Sequence, residues 1–433
     1  MPMTGEVLSR AITRARRRLL PFLLLMFVVA FLDRANIGFA KQQFQLSAGI
    51  SETAFAWGAG LFFLSYALFA IPGNLILHRV GARVLMCLMM VTWGIVSVAT
   101  MFVRGPGSFY VLRLLLGFAE AGFFPGVILY LTYWFPNRVR GQIMGQFYFG
   151  APLALIFGGP LSGLLLTMQG KAGMQGWQWM FLVEGSLAVL VGVWAFSYLA
   201  DKPKDASWLS DDERAALDKA LAEEAAMRTA HGPSAFLAAL RDRKLFHFAA
   251  IYFLIQVSVY GVVFYLPTEV AAILGKRIGL EVGVVSALPW TCALAAVIWI
   301  PWWADRIKRP RILAAVVLAV SGVASAAFLA PNGGLALAAL CIAASGFIAV
   351  QPVFWMFPTG YLSGRAAAGG IAVINALGSL GGFVAPNIKV WADLHFGFPS
   401  AGLYVLAAFT LVAAGLIALL GEQRTPQPHA DPN

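Results

Sequence analysis

About twelve apolar runs of bilayer length, each cut off by charge, glycine or proline, take up most of this 433-residue chain. A hydrocarbon core of roughly 30 Å takes about 20 residues per helix. The runs fall at 19–39, 52–77, 84–103, 108–134, 142–167, 177–199, 245–273, 282–303, 312–330, 334–357, 366–392 and 399–420. In lipid a segment must satisfy its own backbone N–H and C=O groups, so the runs predict an all-α membrane protein with twelve transmembrane helices. Composition agrees. With 60% hydrophobic and 12% charged residues, there is too little charge to coat a water-soluble surface and too much Phe, Leu and Val for a disordered chain. The first run follows Arg14, Arg16, Arg17 and Arg18 as a signal peptide's apolar region follows its basic one, but it is too long and lacks a small-residue cleavage site. It reads as a retained helix.

If both termini are cytoplasmic, alternation gathers roughly three quarters of all Lys and Arg on that side and leaves Lys41, Arg104, Lys171, Lys276, Arg277 and Lys389 outside. Topology thus accounts for the +11 net charge, and no nucleic-acid partner is called for. Cys87, Cys292 and Cys341 lie inside apolar segments without disulfide or zinc spacing and read as packing residues. The expected organisation is a basic cytoplasmic tail (1–18), a six-helix bundle (19–199), a cytoplasmic linker (200–243), a second six-helix bundle (244–420) and a cytoplasmic tail (421–433). Within the linker, Ser210 and Glu213 form a capping-box signature that opens a short helix through Ala226. An internal repeat supports the duplication. The 73–83 loop is echoed at 304–311, Phe135-Pro136 with Arg140 at Phe357-Pro358 with Arg365, and Gly158-Gly159-Pro160 at Gly381-Gly382 with Pro386, at offsets of about 222 to 227 residues.

These segments resemble the major facilitator superfamily and, more narrowly, its anion:cation symporter family of bacterial organic-anion transporters. The resemblance covers nearly the whole chain. It rests on residues 31–40 (FLDRANIGFA), the 73–83 loop, residues 113–126 (RLLLGFAEAGFFPG) with Tyr133-Trp134-Phe135-Pro136, Gly176-Trp177-Gln178-Trp179, the linker residues Asp201-Lys202-Pro203 and Trp208-Leu209-Ser210, and Asn375-Ala376-Leu377-Gly378. Within the family the chain looks closest to tartrate-like and phthalate-like permeases. The resemblance implies a monomer in the bacterial inner membrane that moves a small organic anion with protons and needs no cofactor or metal. It also implies gating roles for Arg79, Arg83, Asp305 and Arg306 in the two loop copies. In the first copy His78 stands early in the motif, where the superfamily usually has an acidic residue.

Four charges lie deep in the first bundle, where each costs about 2.5–3.5 kcal/mol. They are Asp33 and Arg34 on the first span, and Arg113 and Glu120 on the fourth. At 1.5 Å per residue Asp33 and Arg113 come to nearly the same depth, and Arg113 and Glu120 share a face two turns apart. The expected pairings are Asp33 with Arg113 and Arg34 with Glu120. A carboxylate beside a guanidinium stays ionised until a substrate carboxylate takes over the arginine, which links proton binding to anion binding. In the families resembled, the matching carboxylates are the proton sites and the arginines organise substrate. That assigns proton coupling to Asp33 and Glu120, and substrate binding to Arg34 and Arg113. The competing reading is a structural network holding two helices in register. Glu184 and Glu269 lie near expected helix ends and are read as interfacial or structural. Tyr66, Gln256, Tyr260, Trp355 and Asn375 carry polar groups at mid-span and complete the expected pocket.

No nucleotide-binding loop, metalloprotease motif or nucleophile elbow is present, so the chain reads as a transporter driven by an ion gradient and not as an enzyme. The first expectation is proton-coupled uptake of a tartrate-like dicarboxylate by alternating access. Phthalate-like aromatic acids and sugar acids are the alternatives within the family, and a non-transporting membrane sensor or scaffold is the alternative from another class.

Overall fold

The computed structural model describes residues 2–228, 242–307, 309–327, 332–361, 364–398 and 401–420. Side chains are described except at 2–4, 71–79, 137, 225–228, 305, 327, 360, 364–369 and 372. No strand occurs among the described residues. Three unbroken helices come first, α1 (Pro2–Ser47), α2 (Glu52–Val80) and α3 (Ala82–Ala99). The fourth span is two segments, α4 (Pro106–Glu120) and α5 (Phe123–Trp134), as is the fifth, α6 (Asn137–Phe147) and α7 (Gly150–Leu166). After α8 (Gly176–Tyr198) comes the short α9 (Asp211–Arg228), then α10 (Arg243–Leu274), α11 (Leu280–Ile307), α12 (Pro310–Ala327) and α13 (Gly333–Tyr361). The eleventh span is again split, into α14 (Gly364–Ser379) and α15 (Gly381–Phe396), before α16 (Ala401–Ala418). Ten described stretches are long and apolar enough to cross a membrane, with a shorter one at Pro310–Ala326. The chain is a multi-pass membrane protein.

The three split spans correct the expectation of continuous helices, and the first two splits have a visible cause. A proline inside a helix lacks the N–H for its i−4 carbonyl and clashes with it. Pro125 sits four residues after Ala121, where α4 gives way to α5, and Pro152 four residues after Tyr148, where α6 gives way to α7. The third split falls at the paired glycines Gly381 and Gly382.

The basic N-terminal segment continues the first span as helix, because α1 is helical from Pro2 onward. Ala11 and Ala15 are fully buried, and Arg14 Nη1 reaches Glu213 Oε2 of α9 at 2.7 Å. The α9 helix opens as its sequence implies, with Ser210 N–H donating to Glu213 Oε2 at 3.1 Å and Glu213 N–H to Ser210 Oγ at 3.3 Å. Arg140 holds its other end through Glu224 at 3.0 Å, and Trp208 just before it stacks on Trp134.

Packing separates the helices by their order in the chain. In the first group α3 lies along α8, α2 along α4, and α1 against α7 and α8. In the second, α11 packs on α13, α12 on α16, and α10 on α14, α15 and α16. Among the described residues the groups are joined chiefly by α7 with α11, α2 with α14 and α15, and α1 with α10. The tightest points lie at the end of the bundle far from α9. A Cβ on Gly159 would sit 2.6 Å from the Gly283 carbonyl oxygen, and one on Gly163 2.5 Å from that of Gly279. Ile278 N–H donates to Gln42 Oε1 at 3.2 Å, and Asn387 Nδ2 to the Ala56 carbonyl at 3.3 Å. The far end is sealed.

A side chain at that seam should therefore unseat one group from the other. Overpacking costs about 1–3 kcal/mol, so Gly283→Val is expected to lower the population of the far-end-closed arrangement roughly tenfold or more. Spin labels at the exposed positions Leu46 and Lys276 would report it as a shift toward longer distances, and an unchanged distribution would refute it.

Candidate functional site

Near the middle of α1, Asp33 and Arg34 are neighbours about 100° apart around the helix, so they meet different surroundings. Arg34 turns toward α2 and α4. Its Nε donates to Glu120 Oε1 at 2.6 Å, and the pair is almost wholly buried. Glu120 is the last residue of α4, placed there by the break that Pro125 causes. The Arg34 guanidinium also lies over the rings of Tyr66, at 4.8 Å, and Phe62, at 5.4 Å. Aromatic faces are partly negative and stabilise a cation that lipid could not solvate.

Arg113 is equally buried but makes no described ion pair. Its Nε donates to the Gly58 carbonyl at 3.3 Å and Nη2 to that of Ala59 at 3.5 Å, and its guanidinium lies 4.9 Å from the Phe62 ring. The expected Asp33–Arg113 ion pair is thus not formed. Asp33 faces α3 instead, where its Oδ1 accepts from Ser97 Oγ at 2.8 Å and from Asn36 Nδ2 at 3.4 Å. The two acid–base pairings inferred from depth reduce to one direct pair.

Arg34 lies in the wall of a cavity between the two helix groups. The first group contributes Phe27, Phe31, Arg34, Phe63, Tyr66, Phe124 and Tyr148, and the second Tyr252, Gln256, Tyr260, Gln351, Asn375 and Ser379. The expected pocket residues Tyr66, Gln256, Tyr260 and Asn375 therefore meet at one place. Trp355 does not line it but packs behind, its ring 4.9 Å from Tyr252. Asp33, Arg113 and Glu120 also stand outside the lining, Glu120 reaching it through Arg34. Gln256 Oε1 and Trp355 Nε1 are buried and have no hydrogen-bond partner among the described residues. Such a wall is rich in aromatic and aliphatic side chains, with one cation and a few neutral amides and hydroxyls. It suits a small anion that also carries apolar or hydroxyl groups.

The sequence reading missed the aromatic wall and Gln351, since Phe and Tyr are too frequent in the chain to single out. Of the two readings offered for Glu184, interfacial or structural, its full burial on α8 fits the second: it accepts from Ser162 Oγ at 2.8 Å and from Asn36 Nδ2 at 3.0 Å. Its place eight residues into the span was the available signal. Glu269 is half-buried at the far end of α10. Of the residues expected to gate, Arg83 is tied within its own group. Its N–H donates to Asp201 Oδ1 at 2.9 Å, its Nε donates to the Phe196 carbonyl, and its guanidinium lies 4.3 Å from the Phe196 ring. Arg306 is exposed and lies 3.8 Å from the Trp302 ring centre. The side chains of Arg79 and Asp305 lie outside the described set.

Comparison with known proteins places this geometry. The Major Facilitator Superfamily model matches residues 23–386. The inner membrane transport protein RhmT of Escherichia coli K12 is 45% identical over 423 residues, covering 98% of both chains. A protein of Agrobacterium vitis named provisionally as a tartrate transporter is 41% identical over 440 residues, covering 99% of this chain and 96% of its own. Among solved structures, a D-xylose-proton symporter superposes with a TM-score of 0.69 at 17% identity, covering 92% of this chain and 96% of that one. A bacterial homologue of the lysosomal transporter Spinster, in an inward-facing conformation, gives 0.71 at 17% identity, covering 93% and 96%. Its relatives and its fold are those of transporters and not of enzymes, and the chain belongs to the Major Facilitator Superfamily.

Proposed function

We propose that this protein is a proton symporter that takes up a small organic anion, a tartrate-like dicarboxylate, across the bacterial inner membrane by alternating access, with both termini in the cytoplasm. The observation that carries the reading is the buried Arg34–Glu120 pair, 2.6 Å long, at the wall of a cavity shared by both helix groups. A substrate carboxylate entering beside Tyr66 and Tyr260 competes with Glu120 for the guanidinium. Breaking a buried pair from one side costs about 3–5 kcal/mol, because a charge is left without a partner. The cost falls away if Glu120 takes a proton as the substrate takes Arg34. Anion and proton then bind together and leave together.

Asp33 is the second proposed proton carrier and Arg113 the second cation, which keeps the carboxylate-rich core near neutrality. Tyr66, Gln256, Tyr260, Trp355 and Asn375 are proposed to bind or frame the substrate. Arg79, Arg83, Asp305 and Arg306 belong to the loop copies at the α9 end, where the opposite state would close. The protein is read as working alone, with lipid as its only standing neighbour. The relatives' names support anion transport and an inner-membrane location, and the lysine and arginine distribution supports the orientation. The aromatic wall favours a second reading, an aromatic acid such as phthalate, whose ring would stack against Tyr252, Tyr260 or Phe63.

The test is uptake of radiolabelled tartrate, phthalate and sugar acids into proteoliposomes with and without an inward proton gradient. Gradient-driven accumulation of one of them is expected, rising as the outside pH falls from about 8 to about 6, because the proton is a co-substrate. Asp33→Asn and Glu120→Gln should abolish accumulation while counterflow exchange survives. Uptake indifferent to the gradient, or variants that accumulate like wild type, would overturn the reading in favour of a uniporter or a silent scaffold. Arg34→Lys keeps the charge but loses the planar two-point grip on a carboxylate, and is expected to weaken substrate binding by roughly tenfold or more, about 1.4 kcal/mol. Isothermal titration of the purified variant checks it.

A further inference from the structure

Behind the cavity, a polar group joins α1, α3, α7 and α8 inside the first helix group. Asn36, one turn after Asp33, donates from Nδ2 to Glu184 Oε2 at 3.0 Å and to Asp33 Oδ1 at 3.4 Å. Ser162 Oγ donates to Glu184 Oε1 and Ser97 Oγ to Asp33 Oδ1, each at 2.8 Å. None of the five residues is more than 2% exposed.

Counting hydrogens shows what this group lacks. The amide supplies two and each serine one, and every one of them already points at a carboxylate. Asp33 Oδ2 and Asn36 Oδ1 are left buried with no partner among the described residues, and both are acceptors. The deficit is of donors. Charge gives the same answer. The charged group acting on Glu184 is Asp33, and Asp33 in turn feels Glu120 and Arg113 of α4, with no ion pair to either. Two ionised carboxylates joined by one amide in this setting would cost several kcal/mol each in lost hydration. One proton removes a charge from the pair whichever carboxylate holds it, and on Asp33 Oδ2 it also turns the orphaned acceptor into a donor. A metal cation fits less well, since the hydroxyls and the amide would have to turn their oxygens inward and give up the bonds described.

We infer that Glu184 is a further proton-binding carboxylate of the transport cycle, sharing a proton with Asp33 across Asn36. The inference rests on the proton-symport reading of the previous subsection and adds to it a residue and a place. The chemistry is one O–H bond formed on a carboxylate oxygen, the proton coming from water and returning to it, with no other reactant. Asp33 and Glu184 then repel each other's ionised forms, so proton binding at one is felt at the other.

Infrared difference spectra of the purified full-length protein between high and low pH, without substrate, test the idea. A carbonyl band of a buried carboxylic acid should titrate in wild type, vanish in Glu184→Gln, and shift in frequency in Ser162→Ala, which removes the hydroxyl on Glu184 Oε1. In Asp33→Asn the midpoint of that band should move. A band that ignores both Glu184→Gln and Ser162→Ala, or a midpoint indifferent to Asp33→Asn, would overturn the inference. Should Glu184→Gln not fold, the mild Ser162→Ala shift decides alone. Failure of the symport reading would show separately, as gradient-independent uptake by wild type.

Discussion

The Arg34–Glu120 ion pair is the interaction on which the rest of the architecture turns. It joins the middle of α1 to the last residue of α4 at 2.6 Å, and it is buried. Neither helix could keep its charge there alone, since lipid offers no solvation to either partner. The rings of Phe62 and Tyr66 lie under the guanidinium and supply part of what water would have supplied. The pair therefore stabilises only as a unit. On the proposed mechanism that property makes it a usable switch, because an arriving anion would change the partner of Arg34 without changing the arginine's own need for one.

What happens at Arg34 must reach the far end of the bundle, where the two groups are zipped. There Lys41 pairs with Glu52 at 2.5 Å on the first group, and Lys389 with Asp393 at 2.8 Å on the second. Both lysines stand 4.5 Å from the Tyr265 ring centre on α10. Next to this cluster the glycines of α7 and α11 allow backbones to touch. Closely packed interfaces have discrete arrangements and resist continuous deformation. A seam built from glycines and paired charges can separate whole, each lysine keeping its carboxylate within its own group. No charge is stranded when it opens.

The apolar runs were legible as helices because lipid leaves a backbone no other choice, and the Arg34–Glu120 pairing was legible as opposite charges buried on the first and fourth spans. The misses have physical causes. Pro125 and Pro152 are plain in the sequence, but a proline may kink or sever a helix according to whether neighbours satisfy the freed carbonyls, and that is a tertiary matter. Asp33 was assigned to Arg113 on depth alone. The rotation of α1 about its axis decides which neighbour it meets, and that rotation gives it Ser97 and Asn36. Serine has no periodic signal strong enough to have foretold either Ser97 or Ser162. Trp355 was expected in the wall and stands one layer behind it, because Tyr252 occupies the nearer position.

Charge in this bundle is distributed unequally, and the inequality bears on mechanism. The membrane-buried charges near the cavity, Asp33, Arg34, Arg113 and Glu120, all come from the first group, while the second contributes amides, hydroxyls and rings to the wall. The formal charges of the four cancel. A dianion bound at the arginines would leave the core at minus two, and protons on Asp33 and Glu120 bring it back to zero. Glu184 fits the same arithmetic on the inference above, since one proton shared between it and Asp33 leaves that pair a single negative charge and the resting core neutral. Electroneutrality of the first group is thus the condition a loaded carrier must meet to rearrange within a low-dielectric medium. On the proposed mechanism the uncharged wall that the second group gives the cavity is then left to discriminate substrates by shape and hydrogen bonding.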